Sequence, residues 1–105
     1  MITVIIQFEV DKHWQEEFKR LLEESTLNRQ KAKGNWRSEL FQDTIHPHHF
    51  ILIEIFDQQA AIDVYYQSQA YLTWFNQVKP MVLKISGSDC ELLIQDQRGL
   101  PKKRK

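Results

Sequence analysis

The sequence of 105 residues has a single cysteine, Cys90. No disulfide can therefore form within the chain, and nothing in its cysteine content indicates an oxidising compartment. The sequence also lacks any apolar run near the roughly 20 residues that cross a bilayer. Its first residues have neither the basic segment nor the small-residue cleavage site of a signal peptide. We therefore expect a cytoplasmic protein whose length suits one domain with its own core.

A net charge is also absent, but the charges are unevenly distributed. Residues 98–105 hold five of the fourteen Lys and Arg residues, and all fourteen Asp and Glu residues precede them. Residues 1–97 thus carry nine basic and fourteen acidic groups, a net charge of −5, which argues against a nucleic-acid-binding face. We predict one domain over 1–97 and a solvated, disordered basic tail over 98–105. Any nucleic-acid contact of that tail would be weak and salt-sensitive.

Hydrophobic periodicity divides the chain into strands and helices. Four segments alternate or are rich in β-branched residues and are predicted strands: 2–10, 35–43, 50–56 and 87–96. A helix is expected between Asp11, a good N-cap, and Gly34. Asp57 is expected to cap one short helix, and Ser68 is expected to cap a second that ends near Pro80. The order β-α-β-β-α-β predicts a ferredoxin-like α+β fold, a four-stranded antiparallel sheet with its helices on one face.

The third predicted strand, FILIEIF (50–56), is apolar on both of its faces. Glu54 points to the same side as the even-numbered apolar residues, where the helices should lie. The other side carries three isoleucines: Ile51, Ile53 and Ile55. Left bare, they would form an unusual exposed apolar patch. We therefore predict a homodimer in which two sheets pack through this face.

Five stretches of the sequence resemble a known family in their order and spacing. They are MITVIIQFEV, EEFKRLLEES, KGNWRSELFQD, HHFILIEIFDQQAAID and YQSQAYLTWF. Over residues 1–95 they resemble the antibiotic biosynthesis monooxygenase (ABM) family of dimeric α+β barrels. This family includes small oxygenases that act on aromatic polyketide or quinol substrates without metal or flavin. The resemblance therefore implies a dimer and a cofactor-independent monooxygenase with its pocket between sheet and helices.

Several polar residues of the family are replaced in this chain. Heme-degrading relatives use Asn, Trp and His at positions that correspond here to Ile6, Tyr65 and Phe75, so heme chemistry is not expected. Polyketide oxygenases have Asn and Trp at the positions of Leu52 and Phe56. Many members share the glutamate at Glu54, which the resemblance places in or near the pocket.

The resemblance implies a site around Glu54 and Tyr65. Glu54 would be the general base that deprotonates a phenol or enol, giving an anion that reacts with O₂. Tyr65 would orient a substrate oxygen, and Trp36, Phe56 and Trp74 would form the walls for a small aromatic, quinol or enolisable substrate. The alternative is a structural Glu54, hydrogen-bonded in the core, within a non-catalytic dimer that binds an apolar ligand or fills its pocket with its own side chains.

Two further functions are not expected. His46, His48 and His49 lie in a turn, HPHH, with no cysteine and no carboxylate at helical spacing, so no metal site is predicted. RNA-recognition domains share the strand order, but they need exposed aromatic and basic residues and a glycine-rich motif on the third strand. FILIEIF has neither glycine nor a basic residue, and nucleic-acid binding is not expected.

Overall fold

The computed structural model describes residues 1–94, 96 and 98. It contains four strands: β1 (Ile2–Val10), β2 (Asn35–Gln42), β3 (His49–Phe56) and β4 (Val82–Glu91). Its three helices are α1 (Gln15–Arg29), α2 (Gln59–Tyr66) and α3 (Gln69–Val78). Single 3₁₀ turns at Lys12–Trp14 and Lys79–Met81 lead into α1 and out of α3. Apart from Arg98, the predicted basic tail lies outside the described residues.

The strands form one antiparallel sheet in the order β2-β3-β1-β4. This confirms the predicted ferredoxin-like α+β fold. Every second residue of β1 is buried against the helices, from Val4 to Val10, and so is every second residue of β3, from Phe50 to Phe56. α1 covers this face with Phe18 and neighbouring leucines. Among the described residues, no helix combines the length and apolar character that crossing a membrane requires.

No helix among the described residues covers the opposite face of the sheet. Ile51, Ile53 and Ile55 lie there and are partly buried by their neighbours. Phe41 on β2 is 46% exposed. The three isoleucines are therefore together on one face, as the alternation of FILIEIF predicts.

The predicted position of the last strand was wrong by five residues. β4 spans Val82–Glu91, and it pairs with the whole of β1, from Ile2 opposite Glu91 to Val10 opposite Val82. The 3₁₀ turn after α3 leads directly into the edge of the sheet. Pairing with β1 therefore begins before the stretch on which the strand prediction was based. Leu93 and Ile94 follow β4 and are 85% and 89% exposed.

The structure confirms only some of the predicted N-cap residues. Ser68 caps α3, since its side chain accepts a hydrogen bond from the Tyr71 N–H. Asp11 accepts from the His13 N–H and caps the 3₁₀ turn that precedes α1. Asp57 was wrongly predicted as the cap of α2. The N-cap residue there is Gln58, whose side chain makes no capping bond.

Gly34 connects the end of α1 to β2 at the point where α2 packs. Its φ is +82°, a conformation that glycine adopts without strain. A Cβ at this position would lie 2.5 Å from the Cβ of Ala61 and 2.7 Å from Asp57 Oδ1. The Gly34 carbonyl also accepts a hydrogen bond from the Asp57 N–H at 2.9 Å. Glycine is therefore required both by the backbone conformation and by the closeness of α2.

Candidate functional site

Glu54 lies in the middle of β3 and is completely buried. Its Oε1 accepts hydrogen bonds from Arg29 Nη1 and from the Tyr66 hydroxyl, each at 2.8 Å. Its Oε2 accepts from Ser38 Oγ at 3.0 Å and from Asn35 Nδ2 at 3.4 Å. A carboxylate has about four lone-pair sites, so Glu54 is saturated with donors.

Arg29, the last residue of α1, is the cationic partner of Glu54. It too has no exposed surface. Its Nε donates to Ser25 Oγ, one turn earlier on the same helix, at 3.1 Å. Its Nη1 donates to Glu54 and also to the Tyr66 hydroxyl at 2.9 Å. Its Nη2 is buried and has no hydrogen-bond partner among the described residues. One nitrogen of a buried cation thus keeps an unused donor.

Four aromatic rings surround the guanidinium of Arg29. Their centroids lie 5.1 to 5.5 Å from Arg29 Cζ, and they belong to Tyr65, Tyr66, Tyr71 and Trp74. Rings within about 6 Å of a desolvated cation attract it through their π faces. The Trp74 ring is also held against α1, because its Nε1 donates to the Leu21 carbonyl at 3.2 Å. α2 and α3 therefore supply a cage of rings around a cation from α1.

Arg29 keeps its charge and the neighbouring tyrosines keep their protons at neutral pH. Burial by itself would lower the pKa of Arg29, but Glu54 and the two tyrosines Tyr66 and Tyr65 raise it above its usual value. Burial raises the pKa of the Tyr66 hydroxyl, and the opposing effect of Arg29 does not cancel this rise. Burial also raises the pKa of Tyr65. Arg29 is therefore a stable cation, and both phenols remain hydrogen-bond donors.

A groove of about 340 Å³ runs between α1 and α3, next to this cage. Its buried floor consists of Leu21, Ser25, Tyr65 and Trp74. Its exposed rim consists of Glu24, Asn28, Gln69, Ala70, Thr73 and Gln77. Three of the floor residues contact Arg29, Ser25 through a hydrogen bond and the two aromatic residues through their rings. The floor is thus apolar and aromatic, with a buried positive charge behind it.

The structure brings some of the predicted site residues together and separates others. Tyr65 and Trp74 share the groove floor. Glu54 lies beneath them, connected through Arg29, and does not line the groove. Phe56 is a fully buried core residue. Trp36 lies at the irregularity in the β2–β3 register and does not line the groove. The roles predicted for these five residues stay predictions.

Arg29 and Tyr66 are the residues that the sequence interpretation missed. Arg29 follows Ser25 by four residues and therefore continues the apolar stripe of α1 through Phe18 and Leu22. A charge on that stripe, together with the lone carboxylate in FILIEIF, is the signal that could have predicted a buried ion pair. The sequence does not indicate which of Tyr65 and Tyr66 contacts Glu54. Their side chains point about 100° apart, and the pattern of a two-turn helix does not show which direction faces the carboxylate.

A match to a family sequence profile assigns the chain to a protein family. Residues 1–77 match the sequence profile of the family described as antibiotic biosynthesis monooxygenase. The chain belongs to the antibiotic biosynthesis monooxygenase family. Membership places the protein among monooxygenases at the level of the family and leaves the substrate open. The comparison with curated proteins found no match.

Solved structures of this family share the fold. A candidate family member from Nitrosomonas europaea has a TM-score of 0.85 at 22% identity, covering 90% of this chain and 100% of its own. Another from Deinococcus radiodurans has a TM-score of 0.86 at 14% identity, covering 92% of this chain and 97% of its own. A candidate monooxygenase from Fusobacterium nucleatum has a TM-score of 0.90 at 14% identity, covering 99% of this chain and 48% of its own. These low identities establish a common fold only.

Proposed function

We propose that the protein is a cofactor-independent monooxygenase for a small aromatic, quinol or enolisable substrate, bound in the groove between α1 and α3. The observation that carries this proposal is the buried Arg29 cation directly behind an aromatic groove floor. A flat ring fits against Trp74 and Tyr65, which are already packed edge to face with neighbouring rings. The family assignment supplies the reaction class.

The positive charge favours the chemistry that such a substrate needs. A nearby cation stabilises a phenolate or enolate relative to its protonated form, and Tyr65 retains the proton with which to hydrogen-bond the substrate oxygen. The anion then gives electrons to O₂. In a substrate with an enolisable CH₂ group, such as an anthrone, this CH₂ becomes C=O, one oxygen atom enters the product, and the other leaves as water with the two hydrogens. The substrate supplies every electron, so the balance requires no external reductant.

Glu54 takes part in this proposal through Arg29. It is fully buried and already accepts four hydrogen bonds, so a substrate cannot contact it directly. Tyr66 donates its proton to Glu54 Oε1 and, like Glu54, does not line the groove. The proton that the substrate loses therefore passes to solvent at the exposed rim of the groove. Glu54 keeps the Arg29 cation behind the groove floor through their 2.8 Å ion pair.

Oxygen uptake tests this function with three matched tyrosine variants. Metal-stripped protein is assayed against hydroquinones, anthrones and other enolisable aromatics. Tyr65→Phe should lower kcat/KM by about 100-fold through loss of the substrate-orienting donor. Tyr66→Phe should lower kcat/KM by less than about 10-fold, because it removes one hydrogen bond to Glu54 outside the groove. Tyr71→Phe is the control, because its ring also packs on Arg29 but does not line the groove.

Folded wild-type protein that consumes no O₂ across this panel would contradict the proposed activity. Equal activities of the three variants would contradict the role assigned to Tyr65. Circular dichroism of each variant confirms that the fold is retained before rates are compared.

The second function, a non-catalytic ligand-binding or structural protein, is favoured by the interior of the domain. The space between sheet and helices is filled by the chain's own side chains, among them Phe18, Phe50, Leu52 and Phe56, all at most 1% exposed. A ligand would then lie only in the surface groove between the helices. Binding of an apolar aromatic ligand that quenches tryptophan fluorescence, without O₂ uptake, is the outcome that this alternative predicts.

The proposal includes a homodimer formed through Ile51, Ile53 and Ile55. These residues lie on the face of the sheet that the helices leave uncovered, and β1 and β2 flank them with Ile5 and Phe41. Family membership and this apolar face support it. A cytoplasmic location belongs to the same proposal, and it is supported by the free, exposed thiol of Cys90.

A further inference from the structure

A second cluster of chemically active side chains lies at the end of the sheet, on the face away from Arg29. Glu9 and His49 are direct partners across β1 and β3. Their neighbours Phe8 and Phe50 are buried against the helices, so this pair points to the opposite face. His48 immediately precedes β3. One ligand atom from each of Glu9, His48 and His49 lies within 4.8 Å of the other two.

The backbone holds these residues in place. The His48 carbonyl accepts a hydrogen bond from the Val10 N–H at 3.0 Å, which attaches the turn to β1. The His49 N–H donates to the His46 carbonyl at 2.9 Å, and the His49 carbonyl accepts from the Asp43 N–H at 3.0 Å. Both histidines are therefore fixed on their main chains. Bringing their rings and the carboxylate closer together requires only side-chain rotation.

We propose that Glu9, His48 and His49 form a binding site for a divalent transition-metal ion of the zinc class. A tetrahedral Zn²⁺ with bonds of about 2.1 Å has ligand atoms about 3.4 Å apart, within the reach of small rotations from the present separation. Two imidazoles and one carboxylate suit Zn²⁺, Ni²⁺ or Cu²⁺, whereas Ca²⁺ and Mg²⁺ require mainly oxygen ligands.

Three protein ligands leave one coordination position for an exchangeable group. His46 is the nearest additional imidazole, and its ring centroid is 5.6 Å from that of His49 and 6.2 Å from that of His48. The site also adjoins a groove of about 200 Å³ lined by Glu9, His49, Asp43 and Lys84 among others. A water molecule or a small anion can therefore reach the fourth position.

The electrostatic surroundings favour a cation at this place. Lys84, opposite Glu9 on β4, is a competing cation, and the charge of Lys12 also acts on His48. Two carboxylates, Glu9 and Asp43, line the same groove as Lys84. These two carboxylates attract a divalent ion more strongly than they attract the single charge of the lysine ammonium group.

This proposal departs from the expectation that HPHH binds no metal. That expectation depended on the absence of a carboxylate near the histidines along the chain. The strand register supplies one from 40 residues away in sequence, at Glu9 opposite His49. The ion would bind on the opposite side of the sheet from the Arg29 network and would tie the β2–β3 turn to the end of β1. It is therefore a site separate from the proposed reaction centre.

Zinc titration of the tag-free full-length protein tests the site. We expect one Zn²⁺ per chain in competition with a chromophoric chelator, and a visible absorption spectrum of tetrahedral type when Co²⁺ replaces it. Glu9→Gln and His48→Ala should each weaken zinc binding by about 100-fold, since each removes one of three ligands. His13→Ala is the matched control, because His13 is the one histidine of the four that lies outside the turn.

The thermal midpoint provides a second measurement. Zn²⁺ should raise it for the wild type and for His13→Ala, because a ligand that binds only the folded state stabilises it, and should leave it unchanged for Glu9→Gln and His48→Ala. The proposal is overturned if the wild type binds no zinc, or if the two site variants bind it as tightly as His13→Ala does. Oxygen uptake by metal-stripped protein does not depend on this result, so the two proposals fail separately.

Discussion

Arg29 and Glu54 are the residues on which the interior of this domain depends most. Both have fully buried side chains, and their ion pair is 2.8 Å long. Removing two charges from water is expensive, and mutual attraction with well-placed hydrogen bonds compensates for it. Here Tyr66, Ser38 and Asn35 complete the shell of the carboxylate. Such a pair contributes little net stability as a unit, but either charge left alone would destabilise the core strongly.

Glu54→Gln should therefore lower the free energy of unfolding by about 3–5 kcal/mol, because it leaves the Arg29 cation buried without a counter-charge. The double variant Arg29→Met/Glu54→Gln should be more stable than Glu54→Gln alone, since the unpaired cation is then removed as well. Urea unfolding followed by circular dichroism measures both changes.

Glu24→Gln is the matched control for that experiment. It breaks the Arg20–Glu24 ion pair, also 2.8 Å long, whose side chains are 58% and 61% exposed. An exposed pair contributes at most about 1 kcal/mol. A Glu54→Gln variant that loses no more stability than Glu24→Gln would show that the buried pair is not the critical interaction described here.

The connection from α1 into β2 determines how closely α2 can approach the sheet. Gly34 adopts a positive φ there, and its Cα faces Ala61 on α2 so closely that no side chain fits. Because α2 and α3 carry the tyrosines and Trp74 around Arg29, the position of α2 also determines the shape of the aromatic cage.

Gly34→Ala should destabilise the protein by about 2 kcal/mol, because it combines a strained backbone conformation with a steric clash against Ala61. Gly87→Ala is the matched control, since a Cβ at Gly87 would meet its nearest atoms, Ile5 O and Ile6 Cγ1, only at 3.9 and 4.0 Å. Its effect should stay within about 0.5 kcal/mol. Thermal unfolding of both variants provides the comparison, and equal midpoints would refute the close packing argued for Gly34.

The face of the sheet that the helices leave uncovered is the surface through which we propose that two molecules associate. Ile53 lies at its centre, opposite Ile5 on β1 and Glu39 on β2. A soluble monomer rarely leaves a continuous apolar patch of this kind open to water, and a face-to-face pairing of two sheets would cover it symmetrically.

Ile53→Glu should convert the proposed dimer into a monomer, because it would bury two unpaired carboxylates where the two sheets meet. Light scattering coupled to size-exclusion chromatography measures the mass. Val64→Glu is the control, since Val64 is 69% exposed on α2, away from this face. A wild type with the mass of one chain, or an Ile53→Glu variant with the mass of two, would rule out this interface.

Most of the secondary structure could be predicted from the sequence, because it depends on interactions between residues close together in the chain. Alternation predicted β1 to β3, and turn and capping residues predicted the order of the helices, because side-chain period and backbone preference are properties of neighbouring residues. β4 was misplaced because Leu92–Ile94 look like a strand, whereas hydrogen bonding to β1 decides which residues pair. The family resemblance was likewise readable, since it depends on the spacing of these same elements.

The contacts between distant side chains could be known only from the folded structure. It placed Arg29 next to Glu54, 25 positions later, and Glu9 next to His49, 40 positions later. It also put Tyr65 and Trp74 in one groove and left Trp36 and Phe56 elsewhere. The physical reason is that sites depend on distances between residues remote in sequence, which strand register and helix packing set, whereas propensity and periodicity act over a few residues at a time.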